Sequence, residues 1–430
     1  MAKIAARLVT PQRALFALAA VTAVVAVELG APIEFALFAL TLAGVALFHD
    51  STLRVALIGL VVVTSYEFIF TGFKTGPGAL GLARQLAHEW VTLANLLALL
   101  MGFALLSKHF EESRIPDALP RFLPDDWKGG FVLLVIVFVL SAFLDNIAAA
   151  LIGGAIANVV FRGNVHIGYL AAIVAASNAG GAGSVVGDTT TTMMWIAGVN
   201  PLDVLHAYVA AVVALIVCGI PAALQQHRFA PIKKDASRGL TLDWVRVFIV
   251  VFILVSAITA NVTANLAFPD VLDHFPLLGA TVWAALLLTA PLRKPDWSLL
   301  PESFKGAAFL LALVVIASLM PVEKLSPASW QNAFGLGFIS AVFDNIPLTA
   351  LALKQGGYDW GMLAYTVGFG GSMIWFGSSA GVALSNMYPQ AKSVGSWITS
   401  GWHVTVAYVV GFFVLLAVMG WVPQAIRTDL

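Results

Sequence analysis

The sequence has a single cysteine, Cys218, so an internal disulfide is excluded, and its place in an apolar run makes it a core or lipid-facing thiol. Charge is also scarce. Asp, Glu, Lys and Arg make up 11% of the residues, 23 acidic against 23 basic, with no basic block that would receive nucleic acid. The eight histidines are scattered without metal-ligand spacing, which argues against a structural zinc site. Lys3, Arg7 and Arg13 precede a first apolar run near residues 14 to 29 in the manner of a signal peptide. That run ends in Val-Glu-Leu-Gly rather than a small-residue cleavage site, and further apolar runs follow at once, so it reads as a first transmembrane helix.

What the chain has in abundance is hydrocarbon. Of 430 residues, 60% are hydrophobic, and several runs have the ~20 apolar residues needed to cross a bilayer as a helix. The fold class is therefore an all-α polytopic membrane protein. Its most informative feature is a pair of matching acidic interruptions, Ser141-Ala-Phe-Leu-Asp145-Asn146-Ile147 and Ser340-Ala-Val-Phe-Asp344-Asn345-Ile346-Pro347. An ionised Asp at membrane depth costs at least ~2.5 kcal/mol on insertion scales, so its appearance twice in one setting marks a functional carboxylate in each half of a duplicated chain.

The order of segments repeats. After the first helix come spans near 33 to 49, 53 to 72 and 89 to 107, a polar amphipathic stretch over 108–128 and an apolar hairpin over 130–161 centred on Asp145-Asn146. A run over 167–199, broken at Gly180-Gly181 and Gly187-Asp188-Thr189, and a span over 203–224 complete the half. After a polar linker, 225–243, the second half has spans near 244 to 267, 276 to 292 and 303 to 320. A hairpin over 329–355, a broken run over 360–388 with Gly370-Gly371 and Gly377-Ser378-Ser379, and a last helix near 402 to 422 follow. Each hairpin arm is too short to span, so both hairpins are expected to be re-entrant. The expectation is about eleven transmembrane helices with two re-entrant hairpins and two broken helices. It divides the chain into a cytoplasmic N-terminus (1–12), a first membrane repeat (13–224), a cytoplasmic linker (225–243) and a second repeat (244–430).

Counted from a cytoplasmic N-terminus, this topology leaves five basic residues outside, Lys74, Arg84, Lys324, Lys354 and Arg427, and the other 18 of 23 inside. That bias follows the positive-inside rule. The same count opens the two hairpins to opposite sides, which makes the halves inverted repeats with ion sites expected near the midplane.

At such sites a hairpin tip or helix break leaves backbone groups without intrahelical partners. Asp145 and Asp344 supply charge, Asn146 and Asn345 supply amide oxygens, and freed carbonyls complete an oxygen shell for a small hard cation such as Na⁺ or Li⁺. Asp188, Thr189, Thr190, Ser378 and Ser379 add oxygens at the breaks. A poorly hydrated carboxylate must be neutralised by a proton or a metal cation, and competition between the two at Asp145, Asp188 and Asp344 is the minimum mechanism of exchange. The blander reading of Asp188 is a helix N-cap. The hydroxyls of Thr189 to Thr192 bond backbone readily. Glu67 is expected to reach water or pair locally, Glu28 and Glu34 to be solvated, and the Trp and Phe residues to form interface belts.

The motifs Leu144-Asp145-Asn146, Ser177-Asn178-Ala179-Gly180-Gly181-Ala182, Gly187-Asp188-Thr189-Thr190-Thr191, Asp344-Asn345-Ile346-Pro347 and Gly377-Ser378-Ser379-Ala380-Gly381-Val382 resemble an ion transporter superfamily. Its members include NhaD-type sodium/proton antiporters, arsenite permeases and sodium-coupled citrate and dicarboxylate carriers, and the chain looks most like the NhaD branch. The resemblance implies a homodimer in the bacterial inner membrane, with hairpins and broken helices moving against a scaffold and the motif aspartates exchanging Na⁺ or Li⁺ for H⁺ without a cofactor. The chain departs from that branch in following Asn146 with Ile147-Ala148-Ala149-Ala150 where threonines are usual, and in carrying Ser378 where the first break has Asp188. Unequal sites are expected. The alternatives are a cation-coupled carrier of a dicarboxylate, citrate-like or oxyanion substrate, disfavoured by the absence of Lys and Arg at tips and breaks, and an intramembrane aspartic protease, disfavoured by the paired Asn residues.

Overall fold

The computed structural model describes residues 11–48, 51–184, 187–233, 241–268, 271 and 274–425. Residues 1–10 of the expected cytoplasmic N-terminus, the linker residues 234–240 and Arg427 lie outside the described residues. Among those described, regular structure is helical apart from one bridge pair, Phe73 with Gly76. Helices suit this composition because in an apolar medium each backbone amide and carbonyl must be satisfied within its own segment.

The first half contains α1 (Pro11–Glu28), α2 (Ile33–Leu47), α3 (Thr52–Tyr66), α4 (Gly78–Glu112), α5 (Trp127–Ser141), α6 (Asn146–Val160), α7 (Ile167–Gly181), α8 (Thr189–Ile196) and α9 (Ala207–Phe229). The second contains α10 (Trp244–Ala267), α11 (Leu277–Thr289), α12 (Leu300–Leu319), α13 (Trp330–Ser340), α14 (Asn345–Gln355), α15 (Trp360–Gly370), α16 (Ser379–Met387) and α17 (Trp402–Met419). Among the described residues, five helical segments are long and apolar enough to cross a membrane: Thr52–Thr71, Gly78–Glu112, Pro201–Phe229, Trp297–Leu319 and Trp402–Met419.

The packing falls into two bodies. In one, α3 lies on α12 and α4 on α11, with α2 against α3 and α10 against α11. In the other, α5 packs on α7 and α13 on α15, while α9 and α17 pack on each other and flank both pairs. Each α6 or α14 arm reaches across to the opposite half, α6 onto α16 and α14 onto α8. The bodies meet chiefly where α12 touches α14 and α4 touches α8.

The two hairpins open toward opposite ends of the molecule. The amide of Lys233, just beyond the C-terminal end of α9, donates to Val160 at the base of α5–α6. At the other end of α9, His206 pairs with Asp359, which closely follows the base of α13–α14. About 34 Å of helix separates these points, since 23 residues rise ~1.5 Å each.

The centre of the second body is α7 and α15, buried without interruption from Gly168 to Gly181 and from Trp360 to Gly370. Helices buried on every face need small residues where backbones approach. A Cβ on Gly180 would overlap the carbonyl of Phe138, and one on Gly370 the carbonyl of Gly337, so glycine at these two places lets α5 and α13 pack directly on the broken helices.

Several expectations are revised. The span read near 89 to 107 belongs to a helix of 35 residues, Gly78–Glu112, about 50 Å long. Its first turns expose Arg84 and bury Gly81 and Gln85, an amphipathic stripe that a hydropathy reading stops short of. The linker read from 225 begins later, because α9 runs to Phe229. Glu67 opens a π-helical turn, Glu67–Thr71, and is 4% exposed; Glu34 is 6% exposed. Glu34 is therefore not solvated as expected, and Glu67, expected to reach water or pair locally, does not reach water. Trp360 and Trp397 are core residues rather than an interface belt. Their indole nitrogens donate to the carbonyls of Gln424 and Ser372.

Candidate functional site

The two Asp-Asn motifs sit at the turns α5–α6 and α13–α14, held by the same contacts in each half. Ser141 Oγ donates to the Ser177 carbonyl at 2.5 Å, and Ser340 Oγ donates to the Val367 carbonyl at 2.6 Å. The serine that opens each motif thus ties a hairpin arm to a broken helix. Each aspartate then starts the second arm as its N-cap: Asp145 accepts from the Ile147 amide at 2.7 Å and Asp344 from the Ile346 amide at 3.0 Å. The breaks restart in the same way, Asp188 accepting from the Thr190 amide at 3.2 Å and Ser378 from the Gly381 amide at 3.3 Å.

Between these caps runs a buried polar chain that joins the halves. Asn146 Nδ2 donates to Asn178 Oδ1 at 3.0 Å and lies 3.5 Å from Asp188 Oδ1. Asn178 Nδ2 donates in turn to Ser372 Oγ at 2.9 Å and Ser378 Oγ at 3.1 Å. Beyond it, Ser379 Oγ donates to Asp344 Oδ2 at 3.0 Å. The structure therefore gathers Asp145, Asn146 and Asp188 on one side and Asp344, Ser378 and Ser379 on the other. Asn345 is buried at the second tip beside Asp344.

The hydroxyls of the first break divide by role. Thr191 and Thr192 spend theirs on the Asp188 carbonyl. Thr190 Oγ1 and Asp188 Oδ2 are buried without a hydrogen-bond partner among the described residues. Asp188 is thus both the helix cap of the bland reading and a carboxylate with one oxygen to spare. Thr189 lines a narrow cleft with Asp145, Thr192 and, from α4, Leu96, Leu99, Leu100 and Phe103. At the second break a polar cleft of about 420 Å³ opens beside Trp375, Val382, Asn386 and Lys392, bounded by Gln12, Phe48 and Ser51.

Among the described residues no three His, Cys, Asp or Glu side chains come together, so the donors are dispersed carboxylates, amides, hydroxyls and backbone oxygens. Such oxygen donors suit a hard cation rather than a transition metal. Sequence reasoning missed Asn178 and Ser372 as members of this centre. The signal for Asn178 was an amide in a helix otherwise made of apolar and small residues, one turn before a glycine pair.

No family model matches the chain. Sodium/proton antiporter 1 of Arabidopsis thaliana is 26% identical over 330 residues, which cover 69% of this chain and 55% of that protein. The Na(+)/H(+) antiporter NhaD of Vibrio parahaemolyticus is 26% identical over 355 residues, 70% of this chain and 84% of that protein. That of Alkalimonas amylolytica is 27% identical over 360 residues, 69% and 71% respectively. The chain spans about half the length of the plant relative and most of the bacterial ones. Identity near 26% is held over about 70% of its length against several of them, so the chain is similar to the NhaD-type sodium/proton antiporters.

Proposed function

We propose that this protein exchanges Na⁺ or Li⁺ for H⁺ across a membrane by alternating access, as a transporter and not an enzyme. The observation that carries the reading is the polar chain from Asn146 through Asn178 to Ser378. It runs between two capped aspartate motifs, each with its Asn buried and its Asp half-buried, through a centre of oxygen and amide groups. Asp145, Asp188 and Asp344 serve as the proton carriers. Asn146, Asn345, Thr189, Thr190, Ser378 and Ser379 add oxygens to the cation shell, with Asp145-Asn146 and Asp344-Asn345 as its two poles. A carboxylate that must be neutralised at membrane depth accepts either a proton or a cation, and one expels the other.

The halves act as inverted repeats: α2 to α4 of the first and α10 to α12 of the second form a scaffold, with α1 additional to the first half, and each half gives a hairpin, a broken helix and a last helix to a moving body. The opposite openings of the hairpins and the recurrence of packing pairs support this division. The bodies touch mainly through α12 on α14 and α4 on α8, contacts that a rigid-body displacement can remake. In the proposed arrangement the N-terminus is cytoplasmic, the membrane is the bacterial inner membrane, and two copies associate as a homodimer.

An anion-carrier reading finds no cation in the hairpin tips or breaks themselves, the nearby Lys392 lying in the cleft beside the second break. Segments 141–147, 181–190, 340–347 and 371–379 contain no Lys or Arg.

The test is reconstitution in proteoliposomes with an imposed pH gradient, followed by a pH-sensitive dye on addition of NaCl, LiCl, KCl or choline chloride. Na⁺ or Li⁺ dissipates the gradient in the wild type and leaves it intact in Asp145→Asn and Asp344→Asn. Absence of a response to every cation overturns the proposal.

A further inference from the structure

The buried helices α7 and α15 end on the same glycine pair, Gly180-Gly181 and Gly370-Gly371, but differ at many positions before it, and one of these differences falls at the centre. Asn178 stands ten residues before Asp188, and Gly368 stands ten residues before Ser378. Each faces the break of the other half. Asn178 fills the space opposite Ser378 with its amide, bonded to Ser378 Oγ at 3.1 Å and Ser372 Oγ at 2.9 Å. Opposite Asp188 there is only Gly368. A Cβ built on it would lie 3.2 Å from Asp188 Oδ2, 3.9 Å from the Asn178 carbonyl oxygen and 4.0 Å from the Ala182 Cβ.

The oxygen that faces this glycine is the one that lacks a donor. Asp188 is 2% exposed; its Oδ1 receives the Thr190 amide and lies near the Asn146 amide, while Oδ2 makes no hydrogen bond of ordinary geometry among the described residues, the Thr190 hydroxyl being the side chain that approaches the carboxylate. Burying a carboxylate oxygen without a donor is costly unless something positive approaches it. Gly368 brings a carboxylate oxygen and a main-chain carbonyl oxygen, that of Asn178, to the same side-chain-free space. A hard cation takes ligands of this kind.

We propose that Gly368 is the specificity-determining residue of the cation site. By withholding a side chain from Asp188 Oδ2 it lets Na⁺ bind there, whereas Asn178 closes the corresponding space at Ser378. The two pseudo-equivalent positions are thereby made into one cation position, at Asp188, and one hydrogen-bonded joint, at Ser378. Gly368 acts through Asp188 as a positioning residue, and the assignment rests on the reading of Asp188 as a cation carrier.

The experiment measures half-saturating Na⁺ and Li⁺ for exchange, together with the melting temperature in Na⁺-free buffer, for wild type, Gly368→Ala, Gly368→Asn and Asp188→Asn. In Gly368→Ala the methyl group narrows the space. Half-saturating Na⁺ should then rise about tenfold or more and that of the smaller Li⁺ by less, shifting the Li⁺/Na⁺ preference, as expected when a hard-cation shell loses room for the larger ion. In Gly368→Asn the amide donates to Oδ2 in place of the cation, so Na⁺-driven exchange should fall further while the Na⁺-free protein melts at a higher temperature. If Gly368→Asn does not fold, Gly368→Ala carries the test, because a contact of 3.2 Å asks only a few tenths of an ångström of the Asp188 side chain. The proposal is overturned if folded Gly368→Ala keeps both half-saturation values, or if both change by the same factor. Should that happen while Asp188→Asn abolishes exchange, only the role of Gly368 fails. If the wild type exchanges no cation, the reading of Asp188 fails and this inference with it.

Discussion

The two hairpin-and-break units are built on the same tie and the same cap, yet they place charge differently. In the first, Asp188 meets the polar chain at the centre while Asp145 lines the cleft against α4, and the residues after Asn146 are Ile147 and Ala148 to Ala150. In the second, Asp344 stands alone with Ser378, Ser379 and Thr349. The first pair of hairpin arms is 15 residues each, the second 11. Shared backbone contacts therefore secure the shape of each unit, while a few side-chain exchanges decide what it can hold. A serine tie or an N-cap stabilises any hairpin tip; an unpartnered buried carboxylate oxygen does not, and among the described residues of the two units it is found at Asp188 in the first.

The comparison is broken most severely by making the units alike. Asp188→Asn keeps a side chain that can cap α8 but removes the spare charged oxygen. Na⁺-driven exchange should fall by about a hundredfold or more while the melting temperature in detergent does not drop, since a buried charge lacking a full set of partners adds little to stability. A parallel fall in melting temperature would make Asp188 a structural cap alone.

Cutting the bridge between the units comes next. Asn178→Ala leaves Asn146, Ser372 and Ser378 without their common partner and should destabilise the protein by roughly 2 to 3 kcal/mol, the cost of stranding buried polar groups. Chemical denaturation measures this, and an effect near zero would mean that the halves are not joined there.

The symmetric ties give a smaller effect and sharpen the comparison. Ser141→Ala and Ser340→Ala each remove one buried hydrogen bond to a broken-helix carbonyl, at 2.5 and 2.6 Å. Each should cost about 1 kcal/mol. Equal losses support two equivalent frames; a loss confined to one would show that only that hairpin is held by its tie.

The smallest effect lies outside the site, at the cytoplasmic rim of the proposed topology. Arg293 beside Asp243 holds that carboxyl below its ordinary value of 3.8, aided by the Arg246 and Val245 amides it caps. A depressed carboxyl stabilises the fold at pH above its unfolded value, and the contribution is lost as pH falls through the folded one. Wild type should therefore melt slightly above Asp243→Asn at neutral pH, with the gap closing as the pH is lowered below the ordinary carboxylate range.

Much of this was legible before any coordinates. The hairpin turns fell where Asp-Asn interrupts an apolar run, and the broken helices stop and restart at the glycine pairs and at Asp188 and Ser378, because N-cap residues and glycine act locally. The outer ends of α4 and the burial of Glu34 and Glu67 were not legible, since hydropathy reports composition along the chain and not which neighbours cover a side chain.

The sequence by itself determined the helical membrane class and the places where Asp145, Asp188 and Asp344 interrupt apolar segments. Scarce charge in a long apolar chain admits few positions for an Asp, and local capping chemistry punctuates the helices. Only the tertiary structure decided that Asn178 joins the halves and that Asp188 faces a glycine. Those pairings link a residue on α7 or α15 to the break of the other half, nearly half the chain away, and no local rule relates a position on one buried helix to the groups that a distant break presents.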